Sequence, residues 1–160
     1  MNIDLRTISS EGPKHLELML EDGWWQQDKL DNQIEGIIKP IAAKIDVYKA
    51  GEKFVLDGEM TGSLKVVCDR CLNSFEKEIK ADFKLFFTPP AQYDTKAEIE
   101  LQEEDLETGF FNGEEINLDN IFKEQVYLTL PIKTLCREEC RGLCPGCGVD
   151  LNTQNCLCKK

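Results

Sequence analysis

Histidine is almost missing from this chain. Among 160 residues only His15 carries an imidazole, so no histidine-built metal cluster can form. As a single imidazole, His15 reads as a surface strand residue rather than a catalyst. Bases are also scarce: 19 Lys and Arg stand against 30 Asp and Glu, a net charge of −11. That balance argues against a generic nucleic-acid binder. Long apolar runs are absent, and nothing approaches the ~20 residues that span a bilayer. The opening MNIDLRTISSEG has no basic stretch followed by an apolar one, so no secretory leader is expected. The expectation is a cytoplasmic, soluble protein with no membrane partner. The phosphate-loop, nucleophile-elbow and zinc-protease signatures are missing too. No catalytic constellation is visible, so neither an enzyme nor a small-molecule substrate is expected. Oligomeric state is left open.

What the chain has in quantity is alternation. Ile41, Ala43, Ile45 and Val47 share one parity. So do Phe54, Leu56, Met60, Leu64 and Val66, with Gly58 and Gly62 among them. Phe75, Ile79, Ala81, Phe83, Leu85 and Phe87 alternate with charged residues. Period two over such lengths predicts strands with one buried face, in an antiparallel sheet. Leu16, Leu18 and Leu20 suggest a shorter strand, and residues 26–38 are ambiguous between a helix and a loop. Trp24 and Trp25 are adjacent, so in a strand only one would be buried. The two glycines on the apolar side predict a strand that bends. Asn117 can cap a helix that Pro131 ends, with Leu118, Ile121, Phe122 and Val126 near one face. The fold class expected is α+β: a curved antiparallel sheet, or partial barrel, covered by one main helix and followed by a C-terminal zinc-binding cysteine knuckle. A single domain over 1–160 divides into a variable part (1–40), strands (41–88), an acidic loop (89–116), the helix (117–130) and a cysteine-rich tail (131–160).

Eight cysteines are the chemical signal. In a protein of this size they are not needed as staples, and in the cytoplasm clustered thiols point to metal or redox chemistry. Cys68 and Cys71 form a C-x-x-C between two strands, at the tip of a hairpin, where two thiolates can converge on one ion. Cys136 and Cys140 are four apart. Cys144 and Cys147 flank Pro-Gly, and Cys156 and Cys158 follow. The preferred grouping puts Cys68, Cys71, Cys136 and Cys140 on one zinc, and Cys144, Cys147, Cys156 and Cys158 on a second. Alternatives join Cys68 and Cys71 to Cys144 and Cys147, or fill one site and leave free thiols. An iron–sulfur cluster fits less well, because the tail spacing departs from the ferredoxin run. A four-thiolate zinc site is closed to water and therefore structural.

Charge is unevenly spread. Residues 94–119 hold ten acids and one base, so they carry nine of the eleven net negative charges. Residues 131–160 hold five bases and three acids. Arg70, Lys133, Arg137, Arg141, Lys159 and Lys160 lie beside the cysteines. They can contact phosphates of structured RNA or a partner, or simply offset the charge of thiolate sites.

CDRCLNSF (68–75), INLDNIFKEQVYLTLP (116–131), CRGLCPGCGVDLN and the closing CLC (140–158) resemble the bacterial YceD family. The resemblance covers roughly residues 40–158. It implies a non-enzymatic factor in large ribosomal subunit biogenesis, supporting accumulation of the large-subunit (23S) ribosomal RNA. The implied partner is the precursor of that RNA or a large-subunit ribosomal protein. The family's C-x-R-C turn falls on Cys68, Arg70 and Cys71, and its tail motif on the six later cysteines. Some members lack part of that tail, which implies that the second zinc stabilises rather than acts. Two competing readings are a thiol–disulfide protein using Cys68 and Cys71, and an acidic adaptor for basic ribosomal proteins using residues 94–119.

Overall fold

A computed structural model describes residues 1–8, 12–25, 33–51, 53–88, 108–110 and 114–158. In chain order the elements are β1 (Asn2–Asp4), a 3-10 turn (Leu5–Thr7), β2 (Lys14–Leu20), α1 (Asp22–Trp25) and β3 (Ile34–Ala50). Then come β4 (Lys53–Val67), β5 (Ser74–Thr88), β6 (Thr108–Phe110), β7 (Glu115–Asn117) and α2 (Leu118–Thr129). The α+β class is therefore found, mostly strand with one main helix.

The main sheet has the order β2-β3-β4-β5-β6. The links from β3 to β4 and from β4 to β5 are too short for a crossover, so these neighbours run antiparallel. Among the described residues the sheet is not a closed barrel and has β2 and β6 at its edges. One feature differs from the expected antiparallel sheet. Its last strand, β6, pairs parallel to β5, with Phe86 opposite Thr108. A second sheet joins β1 and β7 antiparallel, with Ile3 opposite Ile116. Alternation could reveal neither short strand, because three residues hold no period.

The buried parity follows the sequence pattern where strands are central. Ile41, Ala43, Ile45 and Val47 are buried, as are Leu56, Met60, Leu64 and Val66. On β5 only Ile79 is fully buried, and its other apolar residues are half-covered. β6 spans only three residues, so β5 behaves much as an edge strand does. Ser63 is buried on the opposite parity, where its hydroxyl accepts from the Lys39 N–H at 3.1 Å.

β3 begins at Ile34, inside the ambiguous stretch. Its burial alternates only from Ile41 onward, which is why period-two reading stops there. Asp22 packs against this irregular start. Its Oδ1 accepts from the Ile37 N–H at 2.8 Å, and a Cβ on Gly36 would stand 2.5 Å from that oxygen. The tryptophan pair lies on α1, not a strand, and Trp25 is the buried member. Asn117 caps α2 as expected, its Oδ1 accepting from the Asn120 N–H at 3.0 Å. α2 buries Leu118, Ile121, Phe122, Gln125 and Val126.

The described contacts divide the chain into two compact units. One is Met1–Leu18, Ala42–Met60 and Lys80–Tyr127, and the other is Met19–Ile41, Thr61–Ile79 and Leu128–Lys160. All eight cysteines belong to the second. Most of the expected acidic loop lies outside the described residues, apart from β6, Glu114 and the start of β7. No helix among those described is long and apolar enough to cross a membrane.

Candidate metal centres

The turn between β4 and β5 is fixed by its backbone. The Cys68 N–H donates to Asn73 O at 3.0 Å, and the Leu72 N–H donates to Cys68 O at 2.9 Å. To close it, Leu72 takes a left-handed backbone, φ 58°, unusual for a bulky residue. The turn is then clasped to the segment after α2. The Asp69 N–H donates to Thr134 O at 2.9 Å, and the Thr134 N–H donates to Asp69 Oδ2 at 2.6 Å. Thr134 is buried, and its hydroxyl accepts from Gln33 Nε2 at 2.9 Å. This clasp brings Cys136 and Cys140 to the C-x-x-C turn.

The first tetrad is Cys68, Cys71, Cys136 and Cys140, with all four sulfurs within 4.8 Å of one another. The Cys68–Cys140 and Cys71–Cys136 sulfur pairs both stand 3.8 Å apart. A single ion with sulfurs at ~2.3 Å in a tetrahedron sets its ligands about 3.8 Å apart, so the donor set fits. No pair is bonded as a disulfide. Phe75 and Leu135 pack against this centre, and only Cys136 of the four is less than fully buried.

The second tetrad is Cys144, Cys147, Cys156 and Cys158, again within 4.8 Å. It is self-contained in the tail. The Cys144 N–H donates to Val149 O and the Gly148 N–H to Cys144 O, each at 2.8 Å. Gly148, at φ 73°, supplies the left-handed residue that ends this knuckle. Its sulfurs are closer, with Cys156 at 3.1 Å from Cys144 and 3.6 Å from Cys147. An ion would have to spread the Cys144–Cys156 pair by about 0.7 Å. Cys147 and Cys158 are exposed, so the two centres differ sharply in burial.

Four thiolates this close repel one another, and the thiol acidities express it. Burial acts to raise the Cys68 thiol, but N–H groups of Cys71, Cys136 and Arg70 outweigh it and bring it to about 6. Burial pushes Cys71 up, and with its thiol neighbours it takes Cys136 to about 12. In the second tetrad the hydrogen bond from Cys156, helped by the N–H groups of Cys147 and Gly146, lowers Cys144 to about 6. Cys156 is raised by Cys144, and Cys158 is held near 12 by Cys156, Cys147 and Cys144. In each centre one thiol is lowered while two others are raised. A cation is what allows four thiolates at these distances.

Sequence reading missed the polar groups that join the two centres. Asp150 Oδ2 accepts from Asn73 Nδ2 at 2.8 Å, and Asp150 Oδ1 accepts from the Asn152 N–H at 2.8 Å. These bonds, the Asn152 backbone first, hold the Asp150 carboxyl below its usual range. Asn152 Oδ1 accepts from the Arg141 N–H at 2.8 Å, while its Nδ2 lies 3.5 Å from the Cys140 sulfur. A residue of the second cysteine loop therefore touches a ligand of the first centre. The Asp-x-Asn at 150–152 was the available signal; Asn73, Thr134 and Gln33 matter only through the fold.

The basic residues behave differently from one another. Arg70 is exposed but engaged: its Nη1 donates to Cys140 O at 2.8 Å, and its own carbonyl accepts from the Leu143 N–H at 3.1 Å. Lys133, Arg137 and Arg141 are exposed. Lys159 and Lys160 lie outside the described residues.

Comparison with known proteins adds an independent finding. No solved structure gives a significant match. Two curated relatives are chloroplastic proteins named large ribosomal RNA subunit accumulation protein YCED homolog 1. The one from Zea mays is 25% identical over 143 residues, covering 75% of this chain and 49% of its own length. The one from Arabidopsis thaliana is 26% identical over 149 residues, covering 74% and 44%. An uncharacterized protein of Mycobacterium tuberculosis is 32% identical over 108 residues, covering 68% and 50%. The chain thus spans about half the length of the curated relatives it matches. The model of the family described as large ribosomal RNA subunit accumulation protein YceD matches residues 56–160. That span is more than half of the chain and takes in both cysteine tetrads, and the protein belongs to the YceD family.

Proposed function

We propose that this protein is a factor in large ribosomal subunit biogenesis that supports accumulation of the large-subunit ribosomal RNA. The family match over residues 56–160 carries this reading, and the printed names of the plant relatives support it. In it the chain catalyses nothing. Each tetrad holds one zinc ion, which fixes the hairpin tip and the tail as a rigid surface. That surface binds precursor 23S RNA, a large-subunit ribosomal protein, or both. Arg70, Lys133, Arg137, Arg141, Lys159 and Lys160 are its contact residues, and Arg70 also braces the turn.

The burial of Cys68 and Cys71 beside two further thiols favours a closed structural centre over a thiol–disulfide pair, whose attacking sulfur must be reached from solvent. Zinc is favoured over an iron–sulfur cluster by the compactness of both tetrads. A cluster spreads its thiolates around several irons and bridging sulfides, whereas the sulfurs of each tetrad lie within 4.8 Å of one another, and the 3.8 Å pairs of the first match the spacing around one ion.

The test is depletion of the protein in its host, followed by the ratio of large- to small-subunit ribosomal RNA. The expected outcome is a selective fall in the large-subunit RNA with accumulation of precursor ends. An unchanged ratio refutes the reading.

A further inference from the structure

The two tetrads share a ligand set but not an environment, and this contrast has a chemical consequence. In the first, three sulfurs are buried and Phe75 and Leu135 close around them. In the second, Cys147 and Cys158 are exposed, Cys156 is partly so, and only Cys144 is buried. Thiolate oxidation requires access, and disulfide formation requires a second sulfur within reach. The second centre offers both: exposed Cys147 lies 3.6 Å from Cys156, which lies 3.1 Å from Cys144.

We propose that the second tetrad is an oxidation site for hydroperoxides, which release its metal ion while the first tetrad keeps its own. The inference rests on the reading that both tetrads bind zinc. The Cys147 thiolate attacks one peroxide oxygen. An S–O bond forms, the O–O bond breaks, and the departing hydroxide takes a proton to become water. The Cys156 thiolate then attacks the sulfenic sulfur. An S–S bond forms, the S–O bond breaks, and a second hydroxide is protonated. Two thiolates are oxidised by two electrons in all, and one hydrogen peroxide is reduced to two waters. The ion keeps its charge but loses two of its four ligands, and two thiols cannot retain it.

The consequence reaches the first centre without removing its ion. Asn152 lies between Cys147 and Cys156 in sequence, donates toward the Cys140 sulfur and accepts from the Arg141 N–H. Loosening the second loop frees the segment that carries exposed Arg141, so the contact surface softens while the hairpin clasp stays.

The experiment uses the full chain loaded with zinc. Bound metal is counted first by elemental analysis. Hydrogen peroxide is then added, zinc release is followed with a chromogenic indicator, and the cysteines are mapped by alkylation and mass spectrometry. The expected result is two ions bound, with one released at least about tenfold faster than the other. The fast phase should coincide with a disulfide confined to Cys144, Cys147, Cys156 and Cys158, and thiol reductant with added zinc should restore the second ion. Binding of fewer than two ions overturns the metal reading and this inference with it. If two ions bind and leave at one rate, or if oxidation starts at Cys68, Cys71, Cys136 or Cys140, only the oxidation proposal fails.

Discussion

At the scale of single residues, backbone conformation sets the sharpest demands. Gly142 sits at φ 71°, and a Cβ there would stand 2.9 Å from the Arg70 carbonyl oxygen. Gly148 sits at φ 73° with open space around it. Gly148→Ala therefore meets only the left-handed penalty, about 1 kcal/mol. Gly142→Ala adds a backbone clash and should cost about 2 kcal/mol or more. Thermal melts of the two variants check this, and equal losses would show that the Arg70 carbonyl yields freely. Asn152→Ala removes the donor to the Cys140 sulfur and the acceptor for the Arg141 N–H. Loss of about 1–2 kcal/mol and roughly tenfold weaker zinc affinity are expected. Competition against a calibrated chelator measures the second quantity, and an unchanged affinity would make Asn152 a bystander.

At the scale of elements, the hairpin and the knuckle each gather four thiols whose protons must leave before an ion can be held. Cys68 and Cys144, near 6, are mostly ionised at neutral pH. Cys71 and Cys136 in one centre, and Cys156 and Cys158 in the other, are raised and still carry protons there. Metal binding expels at least two protons per ion at neutral pH, so apparent affinity rises with pH, by about a hundredfold per unit. Below about 6 the low thiols also need deprotonating, and the loss of affinity with acid steepens. Zinc titrations between pH 5 and 8 test the sign and the slope, and a flat profile would exclude thiols as the proton source. Much of this level was legible in the chain. Alternation located the long strands because their central residues bury one face, and Cys68 and Cys71 fell on a turn because strands flank them. The start of β3 was hidden because burial there does not alternate, and the Asp22 carboxylate that binds the Ile37 N–H comes from fifteen residues away. The clasp of Asp69 with Thr134 was hidden for a like reason: its partners meet only once the chain has folded.

At the scale of the whole molecule, composition misleads where location informs. Net charge speaks against nucleic acid, yet nine of the eleven negative charges sit in residues 94–119, while the tail beyond Pro131 is slightly basic. Family membership, not charge, is what carries the proposed link to ribosomal RNA accumulation. The proposed metal ions, in turn, would give the tail its order. Beyond the isolated bridge between Leu143 and Asp150, residues 131–158 contain no strand or helix, so little but the two centres and a few polar bonds holds them. Structural zinc contributes folding free energy directly, on the order of 10 kcal/mol per site in small zinc domains. Removing it should therefore act locally. With a strong chelator, hydrogen exchange is expected to rise at residues 68–73 and 131–158. α2, which buries Phe122 and Val126 and contains no cysteine, should keep its protection. Uniform loss across the chain would mean that the metal centres underwrite the entire fold. No change at the tail would mean that its polar bonds, led by those of Asp150 and Asn152, suffice without metal.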